Sequence, residues 1–304
     1  MALLIADRYR GEVPATYEET RRDKPEWPIE QRAIEEMVTQ GPVLDCPLGT
    51  GRYVGIYKAK GLVVTGVDIS PDMIAEARRK HPGLNAMVGT VFDLQFREGG
   101  FETAVCSRLL NWLEPDDMLR AVAEIRRVAK CLVVSIRTGV EGMAGNYTHS
   151  IAKFYAAIDG LHIAERRLIR TVPSGDFEMF KVRAPEIADV YAAHGRGAPC
   201  KRLASRWTRH FNVDPIDWRT ARVRAEFWTA RRIAGVLLDM ASSPTIDGIE
   251  NEIITDEPPR GFDGPLSVVR SCGREALIDG RRRANAYAKG SGVHPVLVVE
   301  NRRC

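Results

Sequence analysis

The chain has 304 residues, more than the usual single domain, so length alone sets an expectation of two domains or one with appendages. With 44% hydrophobic and 28% charged residues, its composition excludes a mainly disordered or collagen-like chain. Lys and Arg (44) nearly balance Asp and Glu (40), and a formal net charge of +4 is too mild to be a nucleic-acid signature unless it clusters.

Six cysteines (Cys46, Cys106, Cys131, Cys200, Cys272 and Cys304) include no CxxC pair and no Cys/His group at zinc-ligand spacing. They read as reduced thiols of a cytoplasmic protein without a metal site. The five apolar residues after Met1 are too few for a signal core, and no stretch approaches the roughly 18 apolar residues of a membrane span. No membrane partner is expected.

From Gly41 onward, short apolar runs alternate with helix-like segments, the pattern of a parallel sheet covered on both faces. Strands are predicted at Pro42–Cys46 and Leu62–Asp68. A helix then starts at Pro71, with Ser70 as its N-cap. Further strands fall at LNAMVG, at Phe101–Ser107 and at Cys131–Ile136, with an amphipathic helix in PDDMLRAVAEIRRVA. After TGVEGMAGN comes a helix from Ser150 to Ile158. IAERRLIRT and FEMFKVR flank the turn PSGD and read as an antiparallel hairpin at the sheet edge. The fold class is α/β, a doubly wound Rossmann-like domain.

Residues 201–245 carry nine Lys and Arg against four acids, so the basic excess of the chain is clustered there. Asp214–Pro215 starts a helix, and Trp218, Val223, Phe227 and Ile233 share an apolar face to about Ala241. The surface at 201–232 is either a solvated helix face or a phosphate-contacting one that takes nucleic acid.

The segment VLDCPLGTGRY places Gly49 and Gly51 between a strand and a helix, where a chain without Cβ atoms lets backbone approach a ligand. Asp68 ends the second strand nineteen residues beyond Gly49, where an acid can accept hydrogen bonds from ribose hydroxyls. Asp93 follows the third strand at the same sheet edge. At these residues the sequence resembles the class I S-adenosylmethionine-dependent methyltransferases over roughly residues 10 to 184. The resemblance implies a seven-stranded sheet with a terminal antiparallel hairpin and S-adenosylmethionine as cofactor. It implies that Asp45, Gly49 and Gly51 line the loop at the methionine end, Asp68 binds the ribose and Asp93 contacts adenine, with Ile69 and Ser107 also among the cofactor-binding residues. Pro47 stands where the usual DxGxGxG pattern has its first glycine, giving DCPLGTG, a familiar variant.

The stretch CSRLLNWLEP carries neither the (D/N)PP(Y/F) motif of DNA amino-methyltransferases nor a Pro-Cys nucleophile, and it resembles enzymes that methylate small molecules. Ser107, Arg108 and Asn111 are candidates for the acceptor side, or else strand-end and helix-cap residues. The segment ATYEETRRDKPEW resembles an N-terminal lid in which Tyr17, Arg21 and Trp27 cover the site. His149 is a candidate acceptor-side base.

Near the C-terminus, ALIDGRRRANAYAKGSGVHPVLVVE reads as a strand, a tight turn at Gly280, a helix from Arg281 to Lys289 and a closing strand. Arginines at a helix start combine free N–H groups, the positive dipole end and guanidinium forks, which suits a phosphate. This resembles the ParB/sulfiredoxin-like fold over about residues 248 to 304, with Gly280, Arg282 and Arg283 matching the phosphate-binding turn. Arg281 stands where the segregation proteins often have Glu.

The expected organisation is a methyltransferase domain (1–184), a basic helical connector (185–245) and a small α+β ParB-like module (246–304). The expected activity is methyl transfer to a small-molecule or nucleotide-type, phosphate-bearing acceptor, with nucleic acid contacted through 201–232 and Arg281–Arg283. The alternatives are a cofactor-responsive DNA-binding regulator and a metabolite methyltransferase whose tail mediates homo-oligomerisation.

Overall fold

The structure is a computed structural model that describes residues 9–139, 147–172, 175–193, 216, 218–241, 265–279, 281–289 and 293–301. They belong to two compact units, the first built from 1–158 and 163–183, the second from 159–162 and 184–304.

In the first unit, helices α1 (Val13–Thr16) and α2 (Glu26–Met37) precede strand β1 (Val43–Asp45) and helix α3 (Val54–Ala59). Strand β2 (Val64–Asp68), helix α4 (Pro71–Lys80), strands β3 (Asn85–Val88) and β4 (Phe101–Cys106), and helix α5 (Pro115–Val128) follow. Strand β5 (Ala129–Gly139), helix α6 (Ile151–Ala157) and strands β6 (His162–Val172) and β7 (Gly175–Arg183) complete it. The seven strands lie in the order β3-β2-β1-β4-β5-β7-β6. β1 pairs in parallel with β2 and with β4, β2 with β3 and β4 with β5, whereas β7 runs antiparallel to β5. Strand order reverses at β1, so the crevice outside the carboxyl ends of β1 and β4 is the natural ligand position of this sheet.

The sequence explains these elements. Strands β1 and β2 are buried at every position, as strands covered on both faces must be. One face packs on α2 through Ala33, Ile34 and Met37, which meet Val43, Val105, Val133, Phe177 and Met179. Helix α5 buries Met118, Ala121, Val122, Ile125 and Val128, a stripe at helical spacing. Ser70 Oγ accepts the Met73 N–H at 3.3 Å and caps α4 at the carboxyl edge of β2.

The second unit contains helix α7 (Ile187–Ala193), strand β8 (Arg222–Thr229), helix α8 (Ala230–Ala241), strands β9 (Leu266–Ser271) and β10 (Arg274–Asp279), helix α9 (Arg281–Lys289) and strand β11 (Val293–Glu300). Its four strands are ordered β10-β9-β11-β8. β11 runs parallel to β9 and antiparallel to β8, and β9 and β10 form an antiparallel hairpin. Val296 and Val298 face a core with Trp228, Ile233 and Ala284, while Leu297 and Val299 face another with Val190 and Val269. This two-sided burial explains the unbroken apolar run in β11.

Two expectations are corrected here. The helix expected from Asp214 to about Ala241 is a strand over Arg222–Thr229 followed by a helix, and Asp214 lies outside the described residues. Val223 and Ala225 alternate with Arg222 and Arg224, a period of two that β11 satisfies along all eight residues of β8. Cys272, in the tight turn between β9 and β10, is disulfide-bonded rather than a reduced thiol, and its partner lies outside the described residues; Cys46, Cys106 and Cys131 are free. Among the described residues, no helix is long and apolar enough to cross a membrane.

Leu132 is buried at the centre of β5. Leu132→Ala should lower unfolding free energy in urea by about 2–5 kcal/mol, the cost of a core cavity. A loss under about 1 kcal/mol would show that this sheet is not a tightly packed core.

Candidate active site

The crevice at the β1/β4 switch point holds two adjoining compartments. One, a slot partly open to solvent, is lined by Gly89, Thr90, Val91, Phe92 and Leu113. The other, an open cleft of about 760 Å³, is bordered by Gly49, Thr50, Arg52, Ser107, Arg108 and Trp112, with Tyr9 and Tyr17 above. Pro47, Asp68, Ile69 and Leu109 border both.

Asp68 organises the junction. Its Oδ2 accepts the Gly49 N–H at 2.8 Å and its Oδ1 accepts the Ser70 N–H at 2.9 Å. Burial pushes its pKa up, while the N–H groups of Ser70, Gly49 and Ile69 pull it back. The carboxylate retains acceptor capacity for a further donor. Gly49 and Gly51 have φ of +56° and +77°, the left-handed region that glycine enters without a Cβ penalty. At Gly51 a Cβ would also lie 2.9 Å from the His81 ring. Leu48 sits on Gly66 of β2, where any side chain would displace it.

Asp45 lies beneath the loop, 1% exposed, and accepts the Tyr57 hydroxyl at 3.2 Å on Oδ2. Its Oδ1 has no partner among the described residues. Burial pushes its pKa well above the ordinary range, Tyr57 opposes this and Asp68 adds to it. Asp45 does not border either compartment.

On the far wall, Ser107 and the Tyr53 hydroxyl share a hydrogen bond of 3.2 Å. Arg108 adopts φ +59°, unusual for a residue with a Cβ, and its N–H donates to Ser135 Oγ at 2.7 Å. Buried Glu30 of α2 accepts from Arg108 Nε at 2.8 Å and from Arg52 Nη1 at 2.7 Å. The Arg52 guanidinium also lies 3.3 Å from the Trp27 ring centroid. Arg21 stacks on Tyr17 at 3.8 Å.

The structure therefore brings Gly49, Asp68, Ile69, Ser107, Arg108 and Tyr17 to one cleft, with Gly51, Trp27 and Arg21 behind its walls. It places three other candidates elsewhere. Asp93 is exposed, takes the Gln95 amide at 2.7 Å and borders neither compartment, where Thr90 and Phe92 stand instead. His149 is fully buried with Nε2 2.8 Å from the Leu110 carbonyl, a core position away from the cleft wall. Asn111 is buried in a 3-10 turn and accepts the Tyr147 N–H at 2.6 Å on its carbonyl. Gly280 and the side chains of Arg282 and Arg283 lie outside the described residues, although the backbone of Arg281–Lys289 is helical as expected. Arg224 pairs with Glu300 at 3.2 Å and Arg232 with Glu275 at 2.9 Å, so part of the basic cluster is neutralised within its own unit.

The glycine loop, the strand-end acid and the apolar slot beside it all lie at the switch point where open α/β sheets take their ligands. Residues 43–131 match the family model described as a methyltransferase domain. An uncharacterised methyltransferase of Mycobacterium tuberculosis is 28% identical over 122 residues, 40% of this chain and 47% of that protein. A demethylmenaquinone methyltransferase of Chlorobaculum tepidum is 33% identical over 89 residues, 29% of this chain and 36% of that protein. The chain thus spans about half or less of the length of the curated relatives it matches. Magnesium protoporphyrin IX methyltransferase from Synechocystis, solved with S-adenosylhomocysteine, superposes with a TM-score of 0.51 at 16% identity, covering 60% of this chain and all of that one. Residues 43–131 of the first unit thus match a methyltransferase domain, and the unit has the Rossmann-like seven-stranded sheet of the superposed structure.

Because Asp45 has a higher pKa in the folded than in the unfolded chain, its stabilising contribution is complete below the ordinary carboxylate range and is lost as pH rises through the elevated value. Asp45→Asn should therefore flatten the fall of Tm as pH rises above the ordinary carboxylate range. An unchanged pH profile would place the raised pKa elsewhere.

Proposed function

We propose that the protein is an S-adenosylmethionine-dependent methyltransferase acting on a small-molecule or nucleotide-type, phosphate-bearing acceptor. The observation that carries the reading is Asp68 standing between an apolar compartment and a polar, aromatic-rimmed one. The residues fit the cofactor: Ile69, Val91, Phe92 and Leu113 would enclose adenine, the Asp68 carboxylate would take the ribose hydroxyls, and Gly49 leaves open space where a Cβ would stand. When bound, the cofactor supplies a methyl group already activated on sulfur.

The work left to this chain is alignment and exclusion of water. Asp68 fixes the glycine loop against β2, and Ser107 with Tyr53 and Arg108 with Glu30 stiffen the opposite wall. Tyr9 and Tyr17 cover the cleft from the N-terminal segment, their rings 5.9 Å apart edge to face. Ser70 Oγ donates to the Tyr9 carbonyl at 2.8 Å and Thr50 Oγ1 to Glu18 at 2.6 Å, which fasten this cover to the site.

The relatives' names include methylation of demethylmenaquinone, of malonyl on an acyl-carrier protein and of guanine in rRNA, so the fold leaves the acceptor open. The phosphate-bearing choice rests on the resemblance of the C-terminal segment to ParB-like modules. Consistent with it, strand β10, helix α9 and strand β11 follow one another in the second unit.

Methyl-labelled S-adenosylmethionine with a fractionated cell extract tests this directly. Label is expected in nucleotides or nucleic acid, and Arg282→Ala with Arg283→Ala should lower its incorporation. Label confined to uncharged metabolites would overturn the phosphate-bearing acceptor. Asp68→Ala should weaken S-adenosylhomocysteine binding by about 1.5–3 kcal/mol in calorimetry, with circular dichroism confirming the fold. Unchanged affinity would remove the ribose role.

A further inference from the structure

On the face of the first sheet covered by α2, three arginines share two carboxylates and a fourth lies among them. Arg52 and Arg108 both donate to Glu30, at 2.7 and 2.8 Å. Arg170 donates to Glu26 at 3.3 Å, and Arg108 Nη2 lies 3.7 Å from the same oxygen. Arg137 makes no side-chain hydrogen bond or ion pair among the described residues, and its Nε is buried without a partner. Two features place Arg137 beside Arg108. Phe177, whose ring lies 5.2 Å from the Arg108 guanidinium, is the register partner of Arg137, and Ser135, two residues before Arg137 on the same strand face, holds the Arg108 N–H. Burial, then Arg170 and Arg108, push the Arg137 pKa down, so Arg137 faces two cations that share Glu26 while it has no anion of its own among the described residues.

Arg108 donates a hydrogen bond through Nε and holds Nη2 3.7 Å from Glu26, which leaves Nη1 for a further acceptor, and Arg108 borders the cleft. Half-buried cations in excess of their anions are costly unless a ligand balances them, and a guanidinium fork matches a carboxylate or phosphate. Tyr17 and Trp112 border the same cleft and offer flat apolar surface beside the fork.

We infer that Arg108 and Arg137 form an anion subsite that seats a carboxylate or phosphate group of the methyl acceptor. The inference rests on the methyltransferase reading and names an acceptor-binding site within that unit, independent of the C-terminal turn.

The test titrates benzoate and phenyl phosphate, against neutral benzamide, into the full-length protein saturated with S-adenosylhomocysteine at constant ionic strength. The parent should bind the anions more tightly than benzamide. Arg137→Gln should weaken anion binding about tenfold while leaving benzamide and S-adenosylhomocysteine unchanged, and Arg137→Lys should restore part of it. Equal binding of benzoate and benzamide would make the cluster a solvated face and overturn the inference, as would an undiminished response in Arg137→Gln. Weaker S-adenosylhomocysteine binding in Arg108→Gln and Arg137→Gln, with 5′-methylthioadenosine unaffected, would assign the fork to the cofactor's own carboxylate and overturn the acceptor role. If the parent fails to bind S-adenosylhomocysteine at all, the methyltransferase reading falls by itself, and anion titration without it still judges the fork.

Discussion

The first unit depends on the carboxylate of Asp68. Taken out of water at the end of β2, it accepts one N–H from the glycine loop of β1 and another at the cap of α4. Hydrogen bonds to a charged group contribute about 1.5–3 kcal/mol each, enough to offset a good part of the desolvation that raises its pKa. The same bonds fix the left-handed loop at Gly49, and Leu48 can seat on β2 only because residue 66 is glycine. One acid thus holds the loop, the strand and the helix cap in register around the crevice.

The walls are fastened differently. Glu30 is completely buried and joins α2 to both sides of the cleft through Arg52 and Arg108, so removing it would strand two guanidinium groups. The N-terminal cover is tied more lightly. Gly11 donates to Asp72 at 2.9 Å in an exposed position, and Lys80 pairs with partly exposed Glu18 at 2.8 Å. Such exposed links contribute little in water, so the hold on this cover rests on the part-buried bonds from Ser70 to the Tyr9 carbonyl and from Thr50 to Glu18.

Much of the sheet was legible because its strands must be apolar on both faces, and the runs around Val43, Val67, Val105 and Val133 announce that requirement. The hairpin of β6 and β7 was legible from its turn residues. Strand β8 was not, because Trp218, Val223, Phe227 and Ile233 also satisfy a helical stripe, and only pairing with β11 selects the extended form. For the site, the glycines and Asp68 could be read from strand ends, where the backbone dictates position. Asp93 and His149 could not, since the chain places a residue near an edge without fixing where its side chain points. Thr90 escaped notice because it carries no charge. Glu30 and Arg52 escaped because they meet across 22 residues from separate elements, which no local pattern records.

The most direct test of the account is a crystal structure of the protein with S-adenosylhomocysteine. The account predicts adenine between Ile69 and Phe92 and both ribose hydroxyls within hydrogen-bond distance of the Asp68 carboxylate, with Gly49 still bonded to it. Adenine outside that compartment, or a ribose held by groups other than Asp68, would contradict it.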